Sequence, residues 1–261
     1  MTNARPVAPF FTMLRTKLRQ PQFYWFLGHF LTLYHYFRYC LSFSSHSIKY
    51  YYSRVLFFIT ITYGIVLYQF YKSGQLKLTT LPRQLRSLDN LQYFTMSLIL
   101  YFCSNAKILS SALVSPVIFS LFHSLNYFKE NLLPFAPLNP MLKNVLSERL
   151  TFFITNYNEK FLVLAQNSEI VTVVQVGFFL PIALVSLLIR FNFINVLKLV
   201  SIVTYAWFFK LRFLQSPQMK LMIQQYVAQG DAMVQRKLPQ FAARWHGIKM
   251  LVNKLFNAVP C

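Results

Sequence analysis

The chain has 261 residues, 56% of them hydrophobic, yet 26 Lys and Arg stand against only 6 Asp and Glu, a formal net charge of +20. Charged residues make up 12% and the mean hydropathy is +0.41, which excludes a disordered chain. An ordinary basic soluble protein is excluded as well, because the apolar runs are longer than a modest core requires and short basic connections separate them.

The first 22 residues carry Arg5, Arg15, Lys17 and Arg19, and the apolar pattern starts only near Phe23. A secretory signal would place a shorter apolar stretch sooner, ahead of a small-residue cleavage site, so no cleavage is expected. The run 23–43 is long enough to span, since about 20 helical residues cover about 30 Å. It includes His29, His35 and Arg38, so its far end is expected to snorkel. The run 55–71 is clean and framed by Arg54 and Lys72. Neither shows the strict alternation of a lipid-facing barrel strand, and in lipid the remaining solution for the backbone is the helix.

A polar segment, 72–90, precedes a third run, 91–103, which as a helix is only about 20 Å long. After Ser104-Asn105-Ala106-Lys107 a fourth run, 108–128, follows, and the pair reads as a helical hairpin with Asn105 and Lys107 at its tip. Pro134, Pro137 and Pro140 then break the chain. In 141–168, Leu142, Leu146, Leu150, Phe153, Tyr157, Phe161 and Leu164 fall three and four apart, opposite Lys143, Glu148, Glu159 and Lys160. That is an amphipathic helix, which either lies among headgroups or packs on the bundle. Runs 169–189 and 191–209 flank Arg190 as a second hairpin, with Pro181 expected to kink its first arm and Glu169 to cap its start. The fold class is therefore all-α: a polytopic integral membrane protein of helical hairpins plus interfacial amphipathic helices. Its parts are a cytosolic segment 1–22, a membrane domain 23–209 and a basic cytosolic tail 210–261.

Basic residues concentrate at the N-terminus, at Lys72, Lys77, Arg83 and Arg86, in the middle helix and in the tail. The positive-inside rule then sets both termini in the cytosol. Cys40, Cys103 and Cys261 are isolated and odd in number, so free thiols are expected rather than staples.

From Lys210 onward one acid, Asp231, meets Lys210, Arg212, Lys220, Arg236, Lys237, Arg244, Lys249 and Lys254. Gly230 is expected to separate two helical stretches. In the second, 238–259, Leu238, Phe241, Trp245, Ile248, Val252, Leu255 and Val259 form one stripe. With Arg244, Lys249 and Lys254 beside it, this stretch reads as a helix that binds the anionic headgroups of a lipid bilayer, or as a docking site for an acidic carrier protein. No nucleic-acid-binding module is present, so no nucleic acid is expected as a partner.

No catalytic constellation can be assembled. The histidines show no i, i+4 pair and no Cys at metal-ligand spacing, and no phosphate-binding or nucleophile-elbow motif occurs, so neither enzyme activity nor a cofactor or metal is expected. Lys198 and His123 are the polar residues deep in apolar runs. They are the residues a small transporter or channel would use, against the plainer reading that Lys198 snorkels from a tilted arm.

Four stretches resemble the transmembrane protein 33 family, in the same order along most of the chain. They are Gln22-Phe23-Tyr24-Trp25-Phe26-Leu27-Gly28-His29, which is similar to its fungal branch of pore-membrane and tetra-spanning proteins; 115–127 (Ser-Pro-Val-Ile-Phe-Ser-Leu-Phe-His-Ser-Leu-Asn-Tyr); Asn167-Ser168-Glu169-Ile170; and Phe208-Phe209-Lys210-Leu211-Arg212-Phe213. The resemblance implies residence in the endoplasmic reticulum membrane and nuclear envelope, and no catalytic residues. It implies reticulon-type shaping proteins, nuclear pore components and a nuclear transport receptor as partners, and a part in pore complex assembly or distribution. The family's membrane-binding C-terminal helix maps onto 238–259. Short paired arms with an interfacial helix would occupy more area in the cytosolic leaflet than in the lumenal one, so the sequence leads to the expectation of a protein that shapes or senses curvature. A scaffold recruiting soluble partners through the basic tail is the further alternative.

Overall fold

The computed structural model describes residues 10–106 and 109–259. Arg5, Lys107 and Cys261, used above for charge, hairpin tip and thiol count, lie outside the described residues. The described residues form ten α-helices: α1 Phe10–Lys17, α2 Pro21–Cys40, α3 Ser45–Lys72, α4 Leu81–Leu85, α5 Asp89–Phe102, α6 Val114–Tyr127, α7 Pro140–Ile189, α8 Phe193–Gln215, α9 Pro217–Lys237 and α10 Ala242–Ala258. No strand occurs among the described residues. The chain is an all-α polytopic membrane protein, and four helical segments among the described residues are long and apolar enough to cross a bilayer: Ser45–Lys72, Ser110–Phe135, Pro140–Ile189 and Phe193–Gln215.

Local chemistry sets the helix starts. Ser44, Asn192 and Ser216 accept the backbone N–H three residues on, at 3.2, 2.8 and 3.2 Å, and open α3, α8 and α9. Asn139 does the same for Leu142 at 2.7 Å, with Pro140 in the first helical position, where its missing N–H costs nothing.

The chain divides into two compact units, 1–76 with 112–168 and 77–111 with 169–261. In the first, α2 and α3 form the most extensive helix pair. A Cβ on Gly28 would come within 2.4 Å of Thr62 Oγ1, so glycine is what lets these two backbones approach. Packed against α2 is α6, whose Ile118 and Phe122 form a core with Ala165, Phe153, Ile154 and Phe161 of α7. The amphipathic stretch thus packs on a neighbouring helix through this part of its face, while Leu142, Tyr157 and Leu164 remain exposed.

In the second unit α5 packs against α8. The two arms of the hairpin expected from 91–103 and 108–128 therefore fall in different units and take different partners, α8 for the one and α2 for the other. Asn195 on α8 donates to the carbonyls of Ser186 and Arg190 at 3.1 and 2.9 Å, closing the tight α7–α8 turn. Around that turn Leu188, Ile189, Phe191 and Phe193 are 74–87% exposed, as side chains bathed in hydrocarbon would be.

Three expectations need correction. The stretches 141–168 and 169–189 are one helix of 50 residues, about 75 Å long, because no glycine or proline interrupts their junction. Glu169 therefore lies far inside a helix and caps nothing. Gly230 is interior to α9, and the break falls instead at Leu238 and the short 3₁₀ turn Pro239–Phe241.

Candidate functional site

The tail helices α9 and α10 are held together by a single acid. Asp231 Oδ1 accepts from the Trp245 indole N–H at 2.5 Å and from Lys249 Nζ at 2.7 Å. Those two donors hold its carboxyl below the usual carboxylate range. A Cβ on Gly230 would lie 2.9 Å from the Trp245 ring, so the glycine makes room for the indole while the helix runs on. The far end of α10 is tied to α8: Lys210 Nζ donates to the carbonyl of Val259, and the Phe213 and Phe256 rings meet edge-on with centroids 5.2 Å apart. A cation on the last carbonyls of a helix is favourable electrostatics.

This geometry sorts the residues singled out for membrane binding. Trp245 and Lys249 face α9, whereas Leu238, Phe241, Ile248, Val252 and Leu255 are exposed, and Leu251, which sequence reading passed over, is exposed beside them. Positions 248, 251, 252 and 255 follow helical spacing, so the open stripe is continuous on the side left free by the Asp231 contacts. Arg244 sits over the Phe241 ring at 5.5 Å, and Lys254 is exposed. Covering each of these half-exposed side chains with lipid would recover on the order of 1 kcal/mol.

A second feature was missed entirely. On α8, Arg212 is buried and its Nη1 lies 2.9 Å from Asp89 at the start of α5, with its Nε 3.6 Å from Glu169 of α7. Glu169 is 1% exposed, and its other oxygen accepts from the Tyr93 hydroxyl, over whose ring the guanidinium sits at 5.3 Å. Beside them Gln92 donates to the Leu85 carbonyl at 2.9 Å and to Gln215 Oε1 at 3.0 Å. Three helices are thus joined, α8 to α7 by a desolvated charge pair and α5 to both through the half-exposed Asp89 and the Tyr93 hydroxyl, an arrangement that fixes their register. The available signal was the acid in an otherwise apolar run, but sequence alone names no partner for it.

Lys198 is half-buried and donates to Asn195 Oδ1 on its own helix at 3.3 Å. His123 belongs to the other unit, where its ring lies 5.0 Å from Trp25 and 4.9 Å from His29, whose Nδ1 is 2.9 Å from Ser120 Oγ. Among the described residues, no group of three His, Cys, Asp or Glu could hold a metal ion.

Comparison with known proteins gives matches over nearly the full length. Residues 10–257 match the family model for transmembrane protein 33/nucleoporin POM33. The pore and endoplasmic reticulum protein of 33 kDa from Saccharomyces cerevisiae is 49% identical over 266 residues, covering 98% of this chain and 97% of its own. No solved structure matches.

Proposed function

The chain belongs to the transmembrane protein 33/nucleoporin POM33 family, and on that premise we propose that it is a non-enzymatic membrane protein of the endoplasmic reticulum and nuclear envelope that shapes or senses curved bilayer. Its place is the tubule and the pore rim, where it supports pore complex assembly or distribution together with pore components and reticulon-type proteins. Both termini face the cytosol, following the distribution of basic residues. The name of the yeast relative, a pore and endoplasmic reticulum protein, supports the location.

The observation that carries the activity is the open stripe of α10. Ile248, Leu251, Val252 and Leu255 are 47–57% exposed, with Arg244 and Lys254 near by. An apolar face with basic flanks inserts at the boundary of headgroups and acyl chains, adding area to one leaflet. The Asp231 contacts and the Lys210 contact orient that face. The test is the distribution of the full-length protein with Ile248, Leu251 and Leu255 replaced by Ser. The variant is expected to remain membrane-embedded and to lose its enrichment at tubules and the pore rim; an unchanged distribution overturns the assignment.

The same tail supports a second role, in which its excess of cations recruits an acidic soluble partner such as a nuclear transport receptor. Reversing Lys237 and Lys254 to Glu, with the stripe intact, is expected to abolish that recruitment and leave the curvature preference unchanged.

A further inference from the structure

The first 88 residues contain no Asp or Glu, yet they hold Arg15, Lys17, Arg19, Arg38, Lys49, Arg54 and Lys72. Within the first compact unit, helices α2 and α3 of this stretch enclose an open groove of about 440 Å³ in which Arg19 is the charged lining residue. Its walls are apolar: Leu27 and Leu31 from α2, and Phe58, Ile61 and Ile65 from α3. Gly28, buried at the close approach to Thr62, also lines it. At one end it meets Arg19, Tyr24 and Tyr68. Lys72 stands at the same end, its ammonium 5.4 Å from the Tyr68 ring centre. Arg19 is exposed and makes no ion pair with any described residue.

We propose that this groove binds one molecule of an anionic glycerophospholipid, with an acyl chain along the Leu27–Ile61 walls and the phosphate on Arg19. Three properties converge on that ligand. The volume falls within the range of small-molecule sites. From Pro21 to Leu31 of α2 the groove extends about 15 Å, the ~15 Å hydrocarbon depth of a single leaflet, so a chain fits lengthwise with its headgroup at the boundary. Among the lining residues charge is placed at one end alone, where the Arg19 guanidinium, with the Lys72 ammonium near by, favours a phosphate headgroup of net negative charge over a zwitterionic one, and no described acid pairs with Arg19. Tyr24 and Tyr68, about half exposed, set hydroxyls at the same depth.

The test uses the full chain in mild detergent, titrated with phosphatidylserine or phosphatidylcholine and read by native mass spectrometry. One phosphatidylserine is expected to be retained at least tenfold more tightly than phosphatidylcholine. Arg19→Gln, a change at an exposed position, is expected to erase that preference while leaving the thermal transition in place. Ile61→Trp, which fills the groove, is expected to reduce retention of both lipids. Equal retention of the two lipids by the unaltered protein, or a preference that survives Arg19→Gln, would mean loosely associated boundary lipid and overturn the proposal. Displacement of phosphatidylserine by a sterol would reassign the groove and overturn it too.

Discussion

Replacing Arg212 by Met removes the cation from between Asp89 and Glu169 and is the most damaging single change expected in the second unit. The Glu169 side chain is 2% exposed and would be left as an uncompensated buried charge. Breaking such a pair costs about 3–5 kcal/mol, whereas the Asp89 side chain, 50% exposed, returns to solvent and adds less than about 1. A loss near 4 kcal/mol is about three decades in the folded-to-unfolded ratio. The double change Arg212→Met with Glu169→Leu removes both charges and takes the Glu169 acceptor from the Tyr93 hydroxyl, a cost of about 1–3 kcal/mol. The double variant is therefore expected to be more stable than Arg212→Met alone. The assay is unfolding in bicelles by titrated denaturing detergent, followed by tryptophan fluorescence. If Arg212→Met costs under 1 kcal/mol, or if the double variant is less stable than the single one, the network does not hold these helices in the way described.

Two further outcomes are expected. Asp231 is held below the ordinary carboxylate range, so its contribution to the α9–α10 contact is complete above the unfolded value of about 3.9 and lost as pH falls through the folded one. With Trp25 and Trp207 changed to Phe, Trp245 emission should be flat from about pH 5 to 8 and shift only under strongly acid conditions, and Asp231→Asn should abolish that acid transition. In the first unit, Phe122→Ala opens the core between α6 and α7, where Phe122 stacks on Phe153 at 5.8 Å and meets Phe161 at 5.4 Å. A loss of about 3–5 kcal/mol is expected in the same unfolding assay, with partial recovery in Phe122→Leu.

The tail illustrates how far one-dimensional reading reaches. The stripe through Phe241, Ile248, Val252 and Leu255 was legible because helical spacing repeats along the chain and needs no knowledge of neighbours. That Trp245 turns inward was not legible, since an indole suits a membrane face and a helix pair equally well. Its choice depends on an acid 14 residues away and on a glycine that leaves space for the ring. Gly230 was misread for the same reason: absence of a Cβ weakens a helix locally, but here it serves a contact whose other half lies in another helix.

Hydropathy and its period, read from the sequence alone, determined the all-α membrane class, because transfer into lipid is a property of each segment by itself. Only the tertiary structure decided that α5 pairs with α8 and α6 with α2, that residues 140–189 run as one helix, and that Glu169 is an ion-pair partner rather than a cap. The physical reason is that lipid is as apolar as the helix surfaces it meets, so hydrophobicity brings every span into the membrane without choosing its neighbour. The choice falls to close packing, as at Gly28 and Thr62, and to buried charge, as at Arg212, and both require groups far apart in sequence to meet.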